Sequence, residues 1–160
     1  AAPSGNAAAF IQKMLPHAQA AERATGVPAS FILGQAALES GWGKGEIRNA
    51  DGSPSYNLFG IKATGWNGPT ASTMTTEYEG GEAVRQVARF RSYGSYTEAF
   101  SDYARMLSSS PRYAATVRSA TTAESFASGM QRAGYATDPQ YASKLARTIN
   151  HTLALQRALG

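Results

Sequence analysis

No cysteine occurs among the 160 residues. That excludes disulfide staples and thiolate metal sites, and it leaves the compartment open. No apolar run approaches the roughly 20 residues that span a bilayer. No basic start leads into an apolar block as in a signal peptide, so no membrane association is expected. Histidine is scarce, at 2 residues. His17, beside Pro16, has no second histidine or carboxylate at metal-ligand spacing and reads as a surface or capping residue. Neither a metal nor an organic cofactor is expected. Charged residues are few, at 16%, and the bases are scattered from Arg85 through Arg112 to Arg147. No run of them resembles a nucleic-acid-binding arm, so no nucleic-acid partner is expected.

What is present describes a globular chain. Apolar residues make up 42%, too many for a disordered segment, and the length suits one domain with a real core. A net charge of +4 and a pI near 9.5 suit an anionic partner such as a cell-wall polymer, or equally a solubilising surface. Ala1 to Ala9, built of Ala, Pro, Ser, Gly and Asn, reads as a linker remnant. The domain is expected to run from Phe10 to Gly160, as a piece of a longer protein acting as a monomer.

The most informative stretch is Phe31 to Trp42. Phe31, Ile32, Leu33, Ala36, Ala37 and Leu38 leave almost no polar face, which describes a helix buried all round. Pro28 fits its first turn and Gly41 the left-handed residue past its end. Glu39 falls in the last turn, on the line of Ile32 and Ala36. The negative end of the helix and apolar surroundings both disfavour a carboxylate there. A carboxylic acid still protonated near neutral pH is what a general acid needs. The alternative is a plain helix-end glutamate, solvated or paired with Lys44 or Arg48.

Elsewhere the spacing predicts a helix over Phe10 to Thr25, with a kink or restart at Pro16. A Gly- and Asn-rich loop leads to Tyr56-Asn57-Leu58-Phe59-Gly60-Ile61-Lys62. Its aromatics are either core anchors or a platform for a sugar ring, with Asn57 bonding an acetamido group. Thr70 to Glu79 alternates, Gly80-Gly81 turns, and Ala83 to Tyr93 returns, which predicts an antiparallel hairpin lying over one wall of a helical body. Helices follow over Ser95 to Leu107, Pro111 to Ser119, Thr122 to Ala133 and Gln140 to Leu159. The pattern is mainly α, with a small β part.

Two acids stand out, Glu39 and, in a Thr-rich strand, Glu77, with Glu79 and Glu82 as its competitors. Breaking a glycosidic bond usually takes two carboxylates. The segments Ala37-Leu38-Glu39-Ser40-Gly41-Trp42-Gly43, Ser55 to Lys62, Thr75-Thr76-Glu77-Tyr78 and Ala133 to Tyr141 occur in that order. Together they resemble glycoside hydrolase family 73, over most of the chain, and in particular its members tied to flagellar rod assembly.

The resemblance implies a lysozyme-like helical domain (α+β) with an antiparallel hairpin lobe beside the active-site groove. It implies cleavage of the β-1,4 glycan bond of peptidoglycan on the N-acetylglucosaminyl side, in the bacterial periplasm. Glu39 matches the family's general acid, Glu77 its second carboxylate and Tyr135 a groove tyrosine tied to activity. Trp42, Tyr56, Asn57, Phe59, Gly60, Lys62 and Tyr141 fall in motifs expected to bind the sugar. The implied partners are peptidoglycan glycan strands and, through sequence outside this chain, flagellar rod proteins. A lytic transglycosylase or muramidase on the same fold, and a wall-binding module without turnover, are the competing readings.

Overall fold

The computed structural model describes residues 5–160. Ala1 to Ser4 of the expected linker lie outside them. The elements run α1 (Asn6–Thr25), α2 (Ala29–Ser40), β1 (Thr70–Glu79), β2 (Glu82–Arg91), α3 (Tyr96–Ser109), α4 (Pro111–Ser119), α5 (Ala123–Arg132) and α6 (Tyr141–Leu159). The class is the expected one, mainly α with a two-stranded lobe. Asn6 to Ala9, expected as linker, are instead helical, and Ala8 is buried. The alanines there have the highest helix propensity, and one apolar face of them meets the core. The helix also runs on through Pro16, at the cost of one backbone bond.

Helix α2 is the axis of the body. It packs between α1 and α6, Phe31 stacks on Phe126 of α5 at 4.5 Å between ring centroids, and Gln35 meets Tyr103 of α3. Nine of its residues are buried, from Ala29 to Ser40, so no polar face was available to it. Gly34 sets how closely α6 approaches. A Cβ on Gly34 would lie 3.0 Å from the Cα of Ile149 and closer still to that side chain. The helix stops at Gly41, which is left-handed with φ 59°, and Trp42 N–H bonds back to the Ala37 carbonyl at 2.8 Å. Glycine takes that conformation without the Cβ penalty.

The hairpin pairs Thr70 with Arg91 through to Glu79 with Glu82. Gly80 and Gly81, at φ 59° and 84°, supply the positive φ values that a tight two-residue turn demands. Its base is fastened to the segment before β1: Arg91 N–H bonds to Ile61 O at 3.0 Å and Ala63 N–H to Arg89 O at 2.9 Å. Arg91 also pairs with Asp102 of α3 at 2.9 Å. The far end meets the α5–α6 loop, where Tyr78 N–H donates to Thr137 Oγ1 at 2.8 Å. The hairpin is thus held at its base by the Ile61–Ala63 segment and by Asp102 of α3, and at its far end by the α5–α6 loop, and it spans a groove rather than lying along a helical wall.

The close approach of α2 and α6 has a direct test. Gly34→Ala forces Ile149 aside in a packed core and is expected to destabilise the fold by about 1–3 kcal/mol. A urea unfolding midpoint equal to that of the parent chain would contradict this packing.

Candidate active site

The groove under the hairpin has a volume of about 930 Å³ and is lined by residues of α2, both strands and the α5–α6 loop. Glu39 is at its floor. The apolar helix places it there, because the core covering α2 ends where the groove begins. Tyr141 Oη donates to Glu39 Oε1 at 2.8 Å. The other oxygen, Oε2, lies against Gly60, where an added Cβ would come within 3.2 Å of it. Among the described residues Glu39 pairs with no base, so the alternative of an ion pair with Lys44 or Arg48 does not hold. Burial pushes its carboxyl up to about 7, the Tyr141 hydrogen bond opposes this, and the charge of Glu77 adds to it.

Glu77 faces the groove from β1. Its competitors Glu79 and Glu82 flank the turn and are exposed. Lys62 Nζ lies 2.6 Å from Glu77 Oε1, and Thr137 Oγ1 donates to Oε2 at 2.9 Å. Burial acts to raise the Glu77 carboxyl, but the hydrogen bonds from Lys62 and Thr137 and the lysine charge outweigh it and hold the group below its ordinary range. The two carboxyls are therefore shifted in opposite directions: Glu39 keeps its proton up to about pH 7, whereas Glu77 gives its proton up below the ordinary glutamate range. Environments that separate two carboxyls in this way divide them into an acid and an anion.

Tyr135 lines the groove with its ring close to parallel to that of Tyr141, the centroids 6.1 Å apart. Its hydroxyl donates to the Phe59 carbonyl at 2.6 Å, so its proton is committed to the protein. Gly60, Lys62 and Tyr141 also line the groove.

Four of the expected sugar-binding residues are placed otherwise. Trp42 turns inward with φ 58°, and its ring packs edge-on against Phe10 of α1 and His151 of α6, at 6.0 and 5.1 Å. Tyr56, also at positive φ, stands edge-on to Tyr96 at 4.8 Å. Neither lines the groove. Asn57 is 2% exposed. Its amide donates to Ile61 O and Arg91 O, both at 2.9 Å, and accepts from the N–H groups of Phe59 and Ile61. Nothing remains for an acetamido group; Asn57 moulds the Phe59–Ile61 turn and ties it to the hairpin. Phe59 is fully buried, stacked on Tyr103 at 4.0 Å, and reaches the site only through its carbonyl.

Two residues that shape the site were not singled out from the sequence. Thr137 lies within the Ala133 to Tyr141 motif, but nothing in the sequence pairs it with Glu77, sixty residues away. Gln35 does carry a sequence signal: a lone amide in an apolar helix, one turn before Glu39 and on its face.

The profile of the Glucosaminidase family, described as mannosyl-glycoprotein endo-beta-N-acetylglucosaminidase, matches residues 15–153. The chain belongs to this family of glycoside hydrolases, as its motifs implied. It is 54% identical over 146 residues to the peptidoglycan hydrolase FlgJ of Escherichia coli (strain K12), covering 91% of this chain and 46% of that protein. The crystal structure of peptidoglycan hydrolase from Sphingomonas sp. A1 is 49% identical, with a TM-score of 0.81, over 95% of this chain and 92% of that one. The glycoside hydrolase domain from Salmonella typhimurium FlgJ is 45% identical, with a TM-score of 0.74, over 94% and 91% of the two chains. The chain spans about half the length of the curated relatives it matches.

The raised Glu39 carboxyl makes a prediction about stability. Its pKa is higher folded, at about 7, than its ordinary 4.5. The neutral acid therefore supports the fold fully below about pH 4.5, and that support is lost as pH rises through about 7. Glu39→Gln, which is neutral throughout, should gain in melting temperature over the parent as pH goes from 5 to 8. A difference that does not change with pH would contradict the burial of this carboxyl.

Proposed function

We propose that this domain cleaves the glycan of bacterial peptidoglycan at the β-1,4 bond on the N-acetylglucosaminyl side, as an endo-β-N-acetylglucosaminidase. The observation that carries the reading is the pair of carboxyls lining one groove, Glu39 pushed up to about 7 by burial and Glu77 held below its ordinary range by Lys62 and Thr137. Glu39 gives its proton to the glycosidic oxygen as the bond to the anomeric carbon breaks. Glu77, fixed by Lys62 and Thr137, faces the developing positive charge. Each of its oxygens keeps a lone pair with which to accept from a water. Tyr135, its hydroxyl held by Phe59, serves as a wall that sets the sugar's position, and Gly60 leaves room for the sugar beside Glu39 Oε2.

The relatives named as peptidoglycan hydrolases support the substrate. A periplasmic location, and a role in opening the wall for the flagellar rod, follow from the resemblance to family members tied to rod assembly. Contacts with rod proteins would belong to sequence outside this chain.

The test is a digest of purified peptidoglycan, with the reduced fragments identified by mass spectrometry. Fragments ending in reducing N-acetylglucosamine are expected. Reducing N-acetylmuramic ends would make the domain a muramidase, and 1,6-anhydro ends a lytic transglycosylase. Glu39→Gln should lower turnover about 10²- to 10⁴-fold, the range of a lost general acid, while binding to the wall persists. Glu77→Gln should cost less if the substrate's own acetamido group assists.

A further inference from the structure

We propose that Gln35 is a positioning residue for the general acid: it fixes the direction of a buried hydrogen-bond chain so that the acid's proton is held on Glu39 Oε2, the oxygen facing the groove. This rests on the assignment of Glu39 as general acid.

Gln35 is fully buried in a helix that is otherwise apolar or small around it. An amide in such a place is costly unless both of its ends are bonded. Both are. Tyr103 Oη donates to Gln35 Oε1, and Gln35 Nε2 donates to Tyr141 Oη. Tyr141 Oη then donates to Glu39 Oε1. The chain runs from α3 through α2 to α6 and back to α2, and ends on the reacting carboxyl.

Its direction is set at the far end. Tyr103 is fully buried, and among the described residues Gln35 Oε1 is the one acceptor for its proton. Reversing the amide would point Nε2 at Tyr103 and leave that proton unbonded, which is penalised in the core. It would also draw the Tyr141 proton to Gln35 and away from Glu39. In the direction present, Glu39 Oε1 always receives a hydrogen bond, so a proton on the carboxyl resides on Oε2. That oxygen lies beside Gly60, which lines the groove.

The groups facing Glu39 are Tyr141 from α6, Tyr103 from α3, Tyr135 from the α5–α6 loop, and Glu77 from β1 with Lys62 beside it. Burial raises all three tyrosines, so they stay protonated across the working range. Gln35 carries no charge. Removing it changes Glu39 through hydrogen bonding alone.

Gln35→Met keeps the reach of the side chain and removes both of its bonds. Tyr141 loses an incoming donor, becomes a weaker donor to Glu39 and gains a free lone pair for a proton on Oε1. The expected result on soluble peptidoglycan fragments is a roughly five- to ten-fold fall in kcat, the scale of one lost hydrogen bond. KM should hold, and the alkaline limb of the pH–rate profile should move to higher pH. Gln35→Glu, protonated in this core, can accept from Tyr103 and donate to Tyr141 and should restore most of kcat.

Should Gln35→Met fold poorly, the double variant Gln35→Met/Tyr103→Phe removes the unbonded Tyr103 hydroxyl and should show the same kcat loss and pH shift. A lower melting temperature with kcat, KM and the pH limb unchanged would make Gln35 mere core filling and overturn the proposal. Parent-like turnover in Glu39→Gln would instead overturn the general-acid reading on which the proposal stands. The two failures are therefore separable.

Discussion

The placement of the buried acid follows from the burial of one helix on all sides. Helix α2 has no polar face, so α1, α3, α5 and α6 must cover it, and the cover ends at the last turn. An acid placed in that turn meets the core on one side and the groove on the other. Its neutral form is the direct consequence of low dielectric surroundings. Tyr141 works against that shift, so its contribution is to fix which oxygen of the carboxyl is bonded.

The second carboxyl is supported in a different way. Glu77 sits on a hairpin fastened near its two ends, and its ionised state depends on one lysine and one threonine brought from separate loops. Glu39 is thus set by packing that would take a core rearrangement to undo, whereas Glu77 is set by polar contacts at a surface. The groove lies between a rigid wall and one held at its two ends. The loop segment Asn57 to Lys62 joins the two walls, bonded within itself and to Arg91 at the base of the hairpin.

Much of this was legible in the sequence, for identifiable reasons. Proline at the first helical position marked α4, Pro111–Ser119, and the paired glycines marked the turn between β1 and β2, although β2 runs Glu82–Arg91 rather than Ala83 to Tyr93. Glu39 could be read because a helix without a polar face leaves few fates for a terminal acid. The aromatic and amide residues of the loops could not be read in the same way. Trp42 and Tyr56 both take positive φ, which turns their rings from the groove toward α1, α6 and α3, and no periodicity reports such a turn. Asn57 looked like a sugar ligand because an amide among aromatics does so generally; its four bonds to backbone depend on where Ile61 and Arg91 come together in space. The early start of α1 was hidden by a composition that linkers and alanine helices share.

The raised proton affinity of Glu39 is a property of its place in the fold. It is tested most directly by following the side-chain carboxyl carbons of glutamate-labelled protein by NMR across pH, with Glu39 assigned from the Glu39→Gln spectrum. A midpoint near 7 is expected for Glu39 and one below the ordinary glutamate value for Glu77. A Glu39 midpoint near 4.5, the ordinary glutamate value, would contradict that raised affinity.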